Sequence, residues 1–206
     1  MMSTNRLWFL EGANGVGKST LLGAALVPYW NWIGGFTSHR NFNRGQGVRF
    51  VLAPLHPKKH TGKMRDDGIP VAFLITKDGK SHFDPSPFEE SACQWIEEER
   101  ANGISLFLLD EIGGLELIYP NFTSILLSLF ESDAICLGIF KSEENSARLL
   151  QRVALSEEEC ALYYANRARL LDCIHTHGSL REVTLSNRGQ IRKDTDHFLQ
   201  MHLDGK

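Results

Sequence analysis

The sequence lacks a long apolar run and an excess of basic residues, and we expect it to have no secretory leader. No segment approaches the roughly 18–20 uninterrupted apolar residues of a membrane-spanning helix, and polar residues interrupt the first apolar stretch at once. Lysine and arginine total 22 against 25 acidic residues. This balance argues against nonspecific nucleic-acid binding, which usually needs a basic surface. We therefore expect a cytoplasmic protein without a membrane or nucleic-acid partner.

Cysteine is also scarce, and its spacing excludes the common metal and redox motifs. No Cys-x-x-Cys pair occurs among the four cysteines, which are Cys93, Cys136, Cys160 and Cys173. Because disulfides are rare in reducing compartments, we expect four free thiols.

The chain does contain short apolar runs that alternate with helical patterns. Residues 7–10, 104–109 and 135–140 are apolar on both faces, which is typical of buried strands in a parallel sheet. The alternation predicts an α/β fold, with a mainly parallel sheet flanked by helices on both faces. We expect one domain over residues 1–206, with a polar tail at 186–206 that frays.

Two further segments have local signals of their own. The dipeptide Asp78-Gly79 separates two short strand patterns and predicts an antiparallel hairpin, added to the sheet within residues 48–83. Residues 34–47 form a basic, glycine-rich stretch. Ser156 and Glu159 predict a capping box at a helix start.

A strand-to-helix turn carries the most specific motif in the chain. The pattern G-x-x-x-x-G-K-[ST] follows the first strand and opens a helix, which is the frame of a phosphate-binding P-loop. Its glycines let the backbone N–H groups surround a phosphate, the lysine reaches the β- and γ-phosphates, and the serine hydroxyl binds Mg²⁺. The predicted nucleotide-binding residues are Gly12, Ala13, Asn14, Gly15, Val16, Gly17, Lys18, Ser19 and Thr20.

Two acids follow the second apolar strand directly. Asp110 and Glu111 lie at its carboxyl end, where open α/β sheets bind ligands. We expect Asp110 to bind Mg²⁺ together with Ser19, and Glu111 to orient or deprotonate the attacking water.

With both motifs in place, the chain resembles a family of small P-loop nucleoside triphosphatases found in thermophiles, other prokaryotes and animals, the cancer-related nucleoside triphosphatase type. The resemblance spans about residues 6–150. The segments that carry it are the P-loop, Gly35-Phe36-Thr37 with the arginines after it, Phe88-Glu89, and Asp110-Glu111-Ile112-Gly113-Gly114-Leu115-Glu116-Leu117. The resemblance implies a RecA-like α/β fold and slow, Mg²⁺-dependent hydrolysis of ATP, GTP and other nucleoside triphosphates with little base preference.

Several arginines are candidates for contact with phosphate, because a guanidinium suits planar anions. In the segment rich in glycine these are Arg40, Arg44 and Arg49, with Arg44 the best candidate for a catalytic role. Candidates for a lid arginine that neutralises developing charge are Arg148, Arg152 and Arg167.

Three functions stay open at this point. The first is a Mg²⁺-dependent triphosphatase, in which Lys18, Glu111 and Arg44 act on the γ-phosphate. The second is a kinase that passes the phosphoryl group to a nucleotide or another small acceptor. The third is a nucleotide-gated switch with an unidentified protein partner. We expect a monomer.

Overall fold

The computed structural model describes residues 5–43, 47–56, 71–77 and 80–203. Within this part of the chain eight strands form one sheet. They are β1 (Leu7–Glu11), β2 (Ile33–Asn43), β3 (Gly47–Pro54), β4 (Val71–Lys77), β5 (Lys80–Phe83), β6 (Leu106–Ile112), β7 (Ile135–Phe140) and β8 (Gly178–Glu182).

Six α-helices accompany the strands in the same described part of the chain. They are α1 (Lys18–Leu26), α2 (Cys93–Ala101), α3 (Pro120–Glu131), α4 (Glu143–Leu150), α5 (Glu157–His177) and α6 (Arg188–Leu203). A π-helical turn, Pro87–Ala92, leads into α2, and 3₁₀ turns cover Val27–Trp32 and Leu115–Ile118. No helix in the described ranges combines the length and apolar character needed to cross a membrane.

The sheet confirms the predicted α/β architecture. Its strand order is β5-β4-β3-β2-β6-β7-β1-β8. Strands β2, β6, β7, β1 and β8 run parallel, while β3, β4 and β5 continue the sheet as antiparallel strands. The predicted hairpin is the pair β4 and β5, and its Asp78-Gly79 turn lies outside the described residues. Strand β7 separates β1, which precedes the P-loop, from β6, which carries the two acids.

Helices cover both faces of the sheet, because alternate residues of a strand point to opposite sides. Leu7 and Phe9 of β1 belong to a core cluster shared with α2, α3 and α5. Trp8 and Leu10 belong to a second cluster, shared with α1 and α6. The carboxyl ends of the buried strands are thus held between two packed layers.

Strand β2 was not predicted, because the glycines at its start hide the strand pattern. Gly35 has φ +103°, and a β-carbon there would collide with the Leu108 carbonyl of the neighbouring strand. The Gly35 N–H donates to the carboxylate of buried Glu99, 2.5 Å away. Glycine is therefore required where β2 passes close to β6.

The expectation that residues 186–206 fray is wrong, since α6 occupies Arg188–Leu203. Phe198 is buried and stacks on Trp8 with ring centroids 5.4 Å apart. The Trp8 indole N–H donates to the Thr195 hydroxyl at 2.9 Å. The buried positions Ile191, Thr195, Phe198 and Leu199 recur at helical spacing, so the signal was present within a mostly polar sequence.

Smaller differences concern the edges of elements. The capping box at Ser156 and Glu159 is confirmed, and α5 extends from Glu157 to His177. The last strand of the described residues covers Gly178–Glu182. Trp30 and Trp32, in the 3₁₀ turn after α1, are 43% and 62% exposed.

Candidate functional site

The turn between β1 and α1 has the backbone geometry that an anion-binding loop needs. Gly12, Gly15 and Gly17 have φ values of +131°, +80° and +92°, which side chains rarely allow. Gly17 ends the turn in a left-handed conformation, and α1 begins at Lys18. The N-terminal N–H groups of α1 therefore face the same space as the loop, where they attract phosphate.

The Lys18 ammonium lies within the loop. It donates to the carbonyl oxygens of Gly12 and Ala13 at 2.8 and 2.9 Å. Burial lowers the pKa of Lys18, and nearby Lys141 lowers it further, while Glu111 and Asp110 oppose the shift. The ammonium is thus partly desolvated, which strengthens its attraction to a phosphate.

Asp110 and Ser19 form the second part of the site. The Ser19 hydroxyl donates to Asp110 Oδ1 at 3.3 Å, and Asp110 is 8% exposed. The pKa of Asp110 is raised to about 6, mainly by burial and further by the charge of Glu111. Hydrogen bonds from Ser19 and from the Ser38 backbone, together with the charge of Lys141, act in the opposite direction and lower this pKa.

This pair of oxygen ligands fits Mg²⁺. A buried carboxylate whose ionised form is disfavoured by desolvation gains from a cation beside it. Among the described residues no cluster of three or more His, Cys, Asp or Glu side chains could hold a metal. One carboxylate and one hydroxyl suffice, because Mg²⁺ takes its other ligands from water and substrate phosphates.

Glu111 has an unusual backbone conformation at the end of β6. Its φ is +66°, the sole positive value for a non-glycine residue in the described ranges. Such strain persists where the surrounding structure enforces it, often at functional sites. The Lys141 ammonium at the end of β7 donates to Glu111 Oε1 at 2.8 Å. The carboxylate is therefore held in one orientation at the carboxyl end of the sheet.

A cavity of about 320 Å³ unites these groups, and we call it the phosphate cavity. It is bounded by the P-loop on one side and by Asp110, Glu111 and Arg40 on the other. The structure thus brings the two sequence motifs together across the intervening strand β7.

The predicted arginines lie at different places in the structure. Arg40 lines the phosphate cavity, Arg49 is not among its lining residues, and Arg44 lies outside the described residues. Arg148 and Arg152 line a neighbouring cavity.

The lid prediction for Arg167 is wrong, because its guanidinium is buried beneath the site. Arg167 donates to the carbonyls of Gly113 and Lys141 at 2.8 and 2.7 Å, and its charge lies 4.6 Å from the Phe140 ring. It ties the turn after Glu111 to the end of β7. A guanidinium that is hydrogen-bonded to two internal carbonyls is not available to a phosphate.

Other side chains brace the same turn. The Gly113 carbonyl also accepts from Ser146 at 3.2 Å and from Tyr163 at 3.3 Å. Glu116 accepts from the Gly114 N–H at 2.6 Å, so this carboxylate fixes the turn. Sequence reasoning missed Ser146 and Tyr163, because their partner is a backbone carbonyl distant in sequence.

We expect Arg167→Met to lower the free energy of unfolding by about 2–4 kcal/mol, because it leaves two carbonyls without a charged donor. The measurement is urea denaturation of both proteins. The matched control is Arg169→Met, an exposed position on the same helix. Equal stability of the two variants would contradict the bracing role.

The segment after β8 was also missed as part of the site. The Arg188 guanidinium lies against the P-loop, such that a β-carbon at Gly17 would be 3.2 Å from its Cζ atom. A β-carbon at Gly12 would be 2.5 Å from the Val183 carbonyl oxygen. The C-terminal elements therefore pack directly behind the phosphate loop.

Comparison with known proteins supports the fold. The sequence model of a family described as NTPase matches residues 8–175. The crystal structure of THEP1 from the hyperthermophile Aquifex aeolicus is similar, with a TM-score of 0.58 and 18% identity over 91% of this chain and 95% of that chain. No curated protein sequence matches the chain. At this identity the structural likeness concerns the fold, and it confirms the predicted P-loop architecture.

Proposed function

This chain belongs to the NTPase family whose model covers residues 8–175, and from that premise we propose that it hydrolyses nucleoside triphosphates with Mg²⁺ and little base selectivity. The observation that carries the proposal is the phosphate cavity, where the P-loop, the Ser19 and Asp110 pair and Glu111 line one space of about 320 Å³. The P-loop binds and neutralises the phosphates, and Glu111 acts on water.

Each residue has a separate task in this proposal. The backbone of the P-loop and the N-terminus of α1 hold the β- and γ-phosphates. Lys18 moves from the loop carbonyls to the transferring phosphate and stabilises its charge. Ser19 and Asp110 would hold Mg²⁺, which neutralises phosphate charge when it is bound.

Glu111 supplies the step that makes the reaction a hydrolysis. Its carboxylate orients a water molecule and accepts a proton as the water oxygen bonds to the γ-phosphorus. The bond between the γ-phosphorus and the bridging oxygen breaks, and the nucleoside diphosphate leaves with the electron pair. Lys141 is a positioning residue, since its 2.8 Å hydrogen bond sets the orientation of Glu111.

Low base selectivity follows from what the loop recognises. Backbone N–H groups and Lys18 bind phosphates, which all nucleoside triphosphates share. Discrimination between bases would need hydrogen bonds to base edges, which a P-loop does not make. Affinity should therefore depend mainly on the number of phosphates.

The test is phosphate release from ATP, GTP, CTP and UTP, each with Mg²⁺ and with a chelator. We expect slow release from all four nucleotides, and its loss when the chelator is present. Release from one base alone would overturn the low selectivity, and undiminished release with the chelator would overturn the role of Mg²⁺. No release from any nucleotide would overturn the hydrolase assignment.

A further inference from the structure

A second cavity of about 370 Å³ adjoins the phosphate cavity, on the side of the antiparallel strands. The two share Asn14, Arg40, Phe50 and Glu111. Strands β4 and β5 form one wall of the second cavity, and α4 with the turn after it forms another. Glu111 therefore stands where the two cavities meet, with the P-loop on one side and this space on the other.

Hydrolysis alone does not require so large a space. A water molecule occupies about 30 Å³ of liquid volume, whereas cavities that bind small organic molecules measure roughly 300–1,000 Å³. The second cavity thus has the size of a ligand site, and it adjoins the phosphate cavity at Glu111.

One wall of the cavity is aromatic. Phe50, Phe73 and Phe83 are partly exposed and follow one another across β3, β4 and β5. The ring centroids of Phe50 and Phe73 are 6.3 Å apart, and those of Phe73 and Phe83 are 6.4 Å apart. Phe73 and Phe83 also contact the buried ring of Phe88. The parts of the three rings that stay exposed can contact a flat ring.

The rest of the lining is rich in positive charge. Four basic side chains face two carboxylates, and one of these carboxylates, Glu116, is buried and hydrogen-bonded to Gly114. This excess selects an anionic ligand. The four basic residues are Arg40, Lys141, Arg148 and Arg152.

Ion pairs with carboxylates fix the positions of Lys141 and Arg148. Lys141 pairs with Glu111, and Arg148 pairs with Glu144 on the solvent side of α4. For Arg152, no carboxylate of the described residues lies within ion-pair distance. Arg152 therefore lines the cavity with a charge that can bind an anionic group of a ligand.

We propose that the second cavity binds a nucleoside monophosphate and presents it as a phosphoryl acceptor, an inference that rests on the proposed binding of a triphosphate at the P-loop. The aromatic wall takes the base, and the basic side chains take the phosphate. A phosphate oxygen of the acceptor bonds to the γ-phosphorus, and the bond from that phosphorus to its bridging oxygen breaks. The electron pair leaves with the diphosphate, so the products are two nucleoside diphosphates.

This transfer needs no proton acceptor, because the acceptor phosphate is mostly dianionic at neutral pH. The acceptor also occupies the space beside Glu111 from which water attacks. Transfer and hydrolysis are therefore competing outcomes at one γ-phosphate.

Binding is tested by calorimetric titration of AMP, GMP, CMP and UMP into the full chain, preloaded with Mg²⁺ and a non-hydrolysable ATP analogue. We expect at least one monophosphate to bind without displacing the analogue. Arg152→Ala should weaken that binding by about tenfold or more, as loss of a charge-assisted hydrogen bond does. The control is Arg169→Ala, an exposed arginine of α5 that lines neither cavity, and thermal melting verifies folding of both variants.

Transfer is tested by following the nucleotides and the phosphate formed from ATP with and without the monophosphate that binds. We expect the monophosphate to be converted to its diphosphate, with a matching fall in phosphate released per ATP. No binding, or binding that displaces the analogue, would overturn the second site. Binding without conversion would overturn the acceptor assignment. Phosphate release without any monophosphate tests the proposed hydrolysis at the P-loop by itself. A failure of the proposed function is therefore distinguishable from a failure of the acceptor proposal.

Discussion

Replacing Glu111 with glutamine is expected to slow phosphate release from ATP by roughly 10²–10⁴-fold, the range that one general base supplies. Glutamine has nearly the same shape and keeps the strained backbone position, but it cannot accept a proton from water. Because Glu111 acts on water and not on the nucleotide, the affinity for ATP should change little.

The measurement is single-turnover phosphate release, paired with titration of a non-hydrolysable ATP analogue. Lys141 loses a charged partner in Glu111→Gln, so thermal melting is needed to verify the fold. The matched control is Glu97→Gln, an exposed glutamate of α2. If Glu111→Gln retained the parent rate, water activation would have to come from another residue.

Replacing Lys18 with alanine is expected to lower turnover by about 10²–10³-fold and to weaken ATP binding as well. The ammonium provides charge to the phosphates both in the bound substrate and in the transition state. Its loss therefore differs from that of Glu111, since it should raise KM and lower kcat together.

Stability should separate a chemical effect of Lys18→Ala from a structural one. The lysine hydrogen-bonds two loop carbonyls, but burial lowers its pKa, which shows that desolvation already opposes the charged form. We expect a small change in melting temperature. The control is Lys193→Ala on the exposed side of α6. Unchanged phosphate release in Lys18→Ala would refute the P-loop mechanism.

The sequence does not distinguish the buried arginine Arg167 from the exposed arginine Arg148. Arg167 and Arg148 look equivalent in the sequence, since both are arginines on polar helices. In the structure Arg167 is 8% exposed and bound to carbonyls, whereas the Arg148 side chain is 62% exposed beside the second cavity. Which helix face meets the sheet depends on packing, and a single arginine carries little signal of it.

The sequence by itself determined the P-loop, the strand before it, the helix after it and the acids at the end of β6. These features depend on neighbouring residues, because glycine conformation, apolar runs and helix starts are local properties. It also determined the α/β class and the antiparallel hairpin.

Only the tertiary structure decided which residues of distant segments meet. It places β7 between the two motif strands, packs α6 on Trp8, and joins the antiparallel strands to α4 around a second cavity. The physical reason is that these contacts join segments that are distant in the chain. No local sequence pattern determines which of these segments become neighbours, and their arrangement is fixed only when the whole core packs.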